Sequence, residues 1–282
     1  MSRAQALRLA PRRRPLPGFL VALACCIIAI VGCARSEPTA VAREDELVIF
    51  AAASLRNGFA TLGKEFERAH PGVAITFSFA GTQELRTQLE HGAVADVFAS
   101  ADQRHMDELL RAGRVANPTV FARNEPVIVV SSEGARTVKA LADLPNAARI
   151  VVGLPDVPIG RYTLEILERA QAALGPDFRA RVEAKVASRE LNVRQVLTKV
   201  SLGEADAAIV YRTDARSARN SVTVAEIPPE SNVVAEYPIA VVTGAPHPGL
   251  ARAWVDFVLS SAGRRALESA GFTPPVGSSA SR

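Results

Sequence analysis

The chain is poor in the residues that most often carry metal, redox or acid–base chemistry. Among 282 residues it has three cysteines, four histidines and two methionines. The histidines, His70, His91, His105 and His247, are scattered singly, which argues against a zinc or iron site. Each of them reads as a surface side chain. The serine in "AAASL" is not in a G-x-S-x-G elbow and no histidine sits in a recognisable acid–base motif, so an enzyme reading is disfavoured. Long apolar runs are also missing. The stretch from Phe19 to Val31 has 13 residues, where a bilayer crossing needs about 20.

What surrounds that stretch gives it a role. Arg3, Arg8, Arg12, Arg13 and Arg14 precede it and Gly32-Cys33 follow, the layout of a secretory signal peptide over residues 1–32. Ile30-Val31-Gly32-Cys33 resembles the bacterial lipobox, in which the cysteine becomes the lipidated first residue. Cys25 and Cys26 would leave with the leader, so a mature chain from Cys33 has one cysteine and no disulfide, although its compartment is oxidising. Removing five arginines from 33 basic residues leaves 28 against 29 acidic ones. The mature charge is then near zero, and the basic balance of the whole chain is no argument for nucleic acid. Residues 33–45, polar and aperiodic around Pro38, read as a tether between lipid and folded domain.

From Glu46 short apolar runs alternate with helical patterns, the signature of an α/β fold with largely parallel strands. Strands are expected at Leu47–Ala52, Val73–Phe79, Ala95–Ala99, Val127–Ser131, Ile150–Val152, Ala207–Tyr211 and Val233–Val242. Helical spacing places helices at Leu55–His70, Gln83–His91, Gln103–Ala112, Ile159–Leu174, Val193–Leu202 and Leu250–Ala270. Two such series with a late return suggest two lobes, residues 46–124 with 238–282 and residues 125–237, joined near Asn124–Pro126 and Glu236–Pro238. In open α/β sheets ligands bind beyond the carboxyl ends of strands, so the cleft between the lobes is the expected site.

Ser54 follows the first strand and Thr82 the second, each at the start of a helix. As caps they satisfy backbone donors; as ligands they line an anion half-site with the helix dipole behind them. Gly81 lets the backbone come close. The other lobe offers helix starts in "DVPIGRYTLEIL" and "RELNVRQVL", and Tyr211 closes "AAIVY" with a phenol facing the cleft or the core. Ser100 and Asp102 fit a helix cap. Arg56, Arg161, Arg189 and Arg194 lie near these starts and read as rim or salt-bridge residues that steer an anion. Hydroxyls and backbone N–H groups without an acceptor suit a fully deprotonated oxyanion better than hydrogen phosphate.

Taken in order, "VIFAAASLRN", "FAGTQEL", "HGAVADVFASADQRHMD", "VPIGRYTLEIL" and "EADAAIVYRTDA" resemble the molybdate-binding proteins of bacterial ABC importers, over Leu47 to about Pro274. The resemblance implies a two-lobed type II periplasmic-binding-protein fold that closes on molybdate or tungstate. It also implies delivery to a membrane permease with its ATPase, by a monomer held outside the cytoplasm, in the periplasm or at the cell surface. It places the oxyanion ligands at Ser54, Thr82, Ile159, Val193 and Tyr211, with Ile159 and Val193 acting through main-chain N–H, and implies no cofactor and no cation ligands. Thr82 stands where the family usually has serine, and Ile159 where alanine is common. Sulfate, ferric ion or a small organic solute are the alternatives; ferric ion would need carboxylates or paired tyrosines, and Tyr162, Tyr211 and Tyr237 lie in separate segments.

Overall fold

The computed structural model describes residues 45–275. The leader and Cys33 lie outside them, as does all of the tether except Asp45. The strands are β1 (Asp45–Ala52), β2 (Val73–Ala80), β3 (Val97–Ala99), β4 (Val115–Asn124), β5 (Pro126–Val130), β6 (Ile150–Gly153), β7 (Val186–Glu190), β8 (Ala207–Tyr211), β9 (Thr223–Ala225) and β10 (Ala235–Val242). They form two five-stranded sheets, ordered β2-β1-β3-β10-β4 and β7-β6-β8-β5-β9. The helices are α1 (Arg56–Ala69), α2 (Thr82–Glu90), α3 (Gln103–Arg111), α4 (Pro158–Leu174), α5 (Phe178–Glu183), α6 (Val193–Ser201), α7 (Arg212–Ser217), α8 (Pro248–Leu259) and α9 (Ser261–Ser269). The result is the two-lobed periplasmic-binding-protein architecture.

Both sheets are mixed rather than largely parallel. β1 pairs in parallel with β2 and β3, and β6 with β7 and β8, but β10 runs antiparallel to β3 and β4, and β5 to β8 and β9. The reason is connectivity. β5 and β10 each enter their sheet from the other one and so need no crossover helix to set them parallel. The chain leaves the first sheet at Asn124 and enters the second at Pro126, with Glu125 alone between them. It returns between Ala225 and Ala235, and Ala235 already pairs with Asn124, so Glu236–Pro238 lies within β10.

Five elements escape the periodicity, among them α7, which like α5 has only six residues. β4 carries Pro118 and alternates irregularly in burial, with Asn117 at a φ of 48°; β7 is a half-exposed edge strand, and α5 and β9 are too short to show a period. The long helix expected at Leu250–Ala270 is broken at Ser260. There the backbone turns extended, and the Ser260 hydroxyl accepts from Gly263 N at 3.1 Å to cap α9.

The first sheet is packed on both faces. Trp254 of α8 is fully buried, with its ring 5.6 Å from Phe59 and 5.4 Å from Phe66 of α1. On the opposite face Leu85, Leu89, Met106 and Leu109 cover Phe98. Each such side chain contributes about 1.5–3 kcal/mol of burial, and the packing holds the strand ends where the helices begin.

Candidate functional site

Four helix starts converge on one small cavity between the lobes. It is lined by Ser54, Gly81, Thr82 and Ala101 from the first lobe and by Val157, Pro158, Ile159, Asn192, Val193 and Tyr211 from the second. All five residues singled out from the sequence are therefore brought together, and each is at most 4% exposed. Among the described residues no arginine or carboxylate lines the cavity.

Local structure explains what each residue can offer. Ser54 is not the cap of α1; it sits in a single 3-10 turn, Ala53–Leu55, between β1 and α1. Its hydroxyl is 3.0 Å from that of Tyr237. Thr82 is the first residue of α2 and Gly81 the cap, with Glu84 reaching back to accept from Gly81 N at 3.0 Å. That leaves the Thr82 hydroxyl free of capping, and its oxygen accepts from Ala101 N at 3.2 Å. In α4, Pro158 has no N–H, so Ile159 carries the first free donor of the helix. In α6 the Asn192 side chain accepts from Arg194 N and Gln195 N, both at 3.1 Å. It thereby satisfies the two donors behind Val193 and leaves the Val193 N–H for the cavity. Each helix start places roughly half a positive charge at the same point.

Tyr211 supplies the remaining donor. Its hydroxyl is buried and has no hydrogen-bond partner among the described residues. Burial pushes its pKa well above the usual phenol range, so it keeps its proton. The three tyrosines, separate in sequence, are stacked edge to face, with centroids 6.4 Å apart for Tyr162–Tyr211 and 5.8 Å for Tyr211–Tyr237. Among the described residues no group of three or more His, Cys, Asp or Glu stands close enough to hold a metal ion.

The arginines lie outside the cavity. Arg56 stacks on Phe79 at 4.7 Å, and Arg189 is exposed. Arg161 covers the Tyr162 ring at 4.3 Å and reaches Asp102 at 3.5 Å, while Arg194 pairs with Asp214 at 2.7 Å. Several side chains tie the lobes together around the cavity. Gln83 Nε2 donates to Leu191 O at 2.7 Å, Arg104 Nη2 to Asp156 Oδ1 at 2.7 Å, and Arg194 Nη2 to Asn57 Oδ1 at 3.2 Å. The cleft is closed in this arrangement.

His105 differs from its expected surface position. It is fully buried, with Nε2 2.9 Å from Asp156 O across the interlobe contact, and burial lowers its pKa. Ser100 and Asp102 divide the cap between them: Asp102 accepts from His105 N at 3.1 Å, and Ser100 braces the Asp102 backbone. Asn192, read from the sequence as the start of α6, lines the cavity. Tyr237, whose hydroxyl meets that of Ser54, borders the site and carried no sequence signal for that role.

Comparison with known proteins places these features in context. Residues 47–273 match the family described as bacterial extracellular solute-binding protein. A molybdate-binding protein of Mycobacterium tuberculosis is 42% identical over 240 residues, covering 84% of this chain and 87% of the relative. One from Escherichia coli is 33% identical over 245 residues, covering 83% and 91%. The solved periplasmic molybdate-binding protein of Azotobacter vinelandii superposes with a TM-score of 0.70 over 81% of this chain and 99% of that one, at 16% identity, a likeness of fold.

Proposed function

The chain belongs to the bacterial extracellular solute-binding proteins, and we propose that it is the receptor of an ABC importer for molybdate, and for tungstate with it. The observation that carries this reading is the donor-only lining of the cavity. Ser54, Thr82 and Tyr211 present hydroxyls, Ile159 and Val193 present first-turn N–H groups, and no acceptor carboxylate faces them. A tetrahedral dianion without protons satisfies such a lining completely. The choice of molybdate within that class rests on the relatives, which are molybdate-binding proteins at 42% and 33% identity.

The mechanism follows from the arrangement of donors on two lobes. Ser54 and Thr82 alone form half a site, and Ile159, Val193 and Tyr211 the other half. Binding both halves of one ion draws the lobes together, so the ion stabilises the closed form by its differential affinity for it. Closure excludes water and strengthens each bond in the less polar interior. Neutral donors rather than arginines avoid a formal ion pair, which lets the ion leave when the lobes separate at a permease. The reading includes a lipid on Cys33 that keeps a monomeric receptor at the membrane beside that permease and its ATPase.

Isothermal titration of the purified chain with molybdate, tungstate, sulfate and phosphate tests it. The expected result is one site per chain, with molybdate and tungstate bound at least about a hundredfold more tightly than the other two. Tighter binding of sulfate, ferric ion or an organic solute, or no oxyanion binding below millimolar, overturns the reading.

A further inference from the structure

Beside the ion cavity, and sharing Ser54 with it, lies a second cavity of about 210 Å³. Its walls come from both lobes, with Gly58 and Phe272 on one side and Arg194, Thr213, Arg216 and Arg219 on the other. Thr213, Arg216 and Ser217 are spaced i, i+3 and i+4, so the short α7 that follows Tyr211 turns one face into it. The ion cavity offers only neutral donors, whereas this one is basic. Three arginines line it, and among the described residues no carboxylate does.

The three arginines are not equivalent. Arg194 is committed: its Nε meets Asp214 at 2.7 Å, and its other nitrogens donate to Asn57 at 3.2 Å and Ser217 at 3.3 Å. Other arginines around the lobe contact are likewise paired, Arg104 with Asp156, Arg161 with Asp102 and Arg212 with Glu226. Arg216 and Arg219 are exposed, and among the described residues their guanidinium groups have neither an ion pair nor a hydrogen bond. Arg216 is nonetheless held in place. Gly271, just past α9 at a φ of 100°, has no side chain, and a Cβ there would stand 3.5 Å from Arg216 Cδ and 3.4 Å from its Nη1. The stem of Arg216 therefore lies against backbone of the first lobe, and its charge sits over the seam between the lobes.

These two charges supply what the ion cavity lacks. From Cys33 onward basic and acidic residues nearly balance, so net charge does not draw a dianion to the chain, and the neutral lining of the ion cavity exerts little pull at a distance. Guanidinium groups without acidic partners act over about 10 Å at 0.1 M salt. The volume beside Ser54 equals that of about seven waters at roughly 30 Å³ each, room for a tetrahedral oxyanion that keeps part of its hydration.

We propose that this basic cavity is an outer anion site, where the oxyanion docks on Arg216 and Arg219 while still hydrated, before it passes Ser54 and the lobes close on it. The outer site rests on the oxyanion reading above and extends it from the bound state to the approach.

The test uses the full-length chain at neutral pH, with radiolabelled molybdate mixed rapidly and chased with unlabelled ion, so that association and dissociation are read separately. At about 0.01 M salt, where charges act over about 30 Å, Arg216→Gln combined with Arg219→Gln should slow association about tenfold and leave dissociation within about twofold. At about 1 M salt, where the range falls to about 3 Å, the altered and unaltered chains should associate alike. Should the double variant not fold, Arg219→Gln alone should slow association about threefold at low salt. Arg68→Gln combined with Arg111→Gln is the control for net charge. These residues lie in the last turns of α1 and α3, whose first turns face the cleft, so the same two charges are removed from the far side of the first lobe. An unchanged association rate at low salt overturns the proposal. So does a slowing that persists at about 1 M salt, which would mark a change of shape at Ser54, or an equal slowing in the control, which would mark net charge alone. If the unaltered chain captures no molybdate, the oxyanion reading itself has failed, a result distinct from these.

Discussion

Arg194 Nε stands 2.7 Å from Oδ1 of Asp214, and the same guanidinium reaches across the cleft to Asn57 Oδ1 at 3.2 Å. Asp214 is fully buried in α7, just beyond Tyr211. Burial pushes its carboxyl up to about 6, and the opposing pull of Arg194 is too weak to cancel it. A carboxyl whose pKa is raised in the folded state favours folding while protonated and loses that contribution as pH rises through the folded value. The folded protein should therefore lose stability between about pH 4 and pH 7 by an amount on the order of 3 kcal/mol from this group. Asp214→Asn should remove that component. Urea unfolding of both chains across this range checks it: the difference between them should grow with pH, and a constant difference would show that Asp214 ionises freely in the fold.

Tyr211 and Ser54 face the same cavity but differ in what else they touch. The Tyr211 hydroxyl has no hydrogen-bond partner among the described residues, so Tyr211→Phe should leave the unfolding of the ligand-free chain unchanged. Ser54→Ala removes the hydrogen-bond partner of the Tyr237 hydroxyl and should cost about 1 kcal/mol of stability. Each should weaken oxyanion binding by about 1–3 kcal/mol, read by calorimetry beside a melting curve. Two variants that bind normally would remove these hydroxyls from the site.

The strand-to-helix junctions were legible in the sequence because each is local: a run of small or apolar residues, then a residue with a hydroxyl, glycine or proline, then helical spacing. Ser54, Thr82 and Ile159 lie at such junctions; Val193 follows an edge strand with no pattern of its own, and Tyr211 precedes a helix too short to show one. Contacts between the lobes were not legible. His105 reads as a surface residue because nothing within its own helix buries it; the carbonyl that covers it belongs to Asp156, 51 residues away. Tyr237 lies in a strand whose pairing with β4 depends on the chain's return from the other lobe, and β4 itself is broken by Pro118 and a positive φ at Asn117.

Two glycines separate closure from folding. Gly81 has φ −60° and ψ 139°, a conformation that alanine adopts without strain, and within the first lobe the added carbon would meet only the end of the flexible Gln83 side chain, which can swing aside, so that lobe should tolerate Gly81→Ala. The added carbon would nevertheless run into the carbonyl oxygen of Leu191 on the facing lobe, the same oxygen that accepts from Gln83. Closure alone should suffer, with molybdate affinity falling about a hundredfold while the ligand-free chain unfolds within about 1 kcal/mol of the unaltered one. Gly160→Ala is the contrast. Its carbon would meet the backbone of Gly153 and Leu154 inside the second lobe, and neither can withdraw without shifting β6 against α4. That variant should lose more than about 2 kcal/mol of stability whether or not ligand is present. Parallel melting and titration experiments distinguish the two, and a Gly81→Ala chain that binds molybdate at full strength would mean that the liganded lobes do not meet at Leu191.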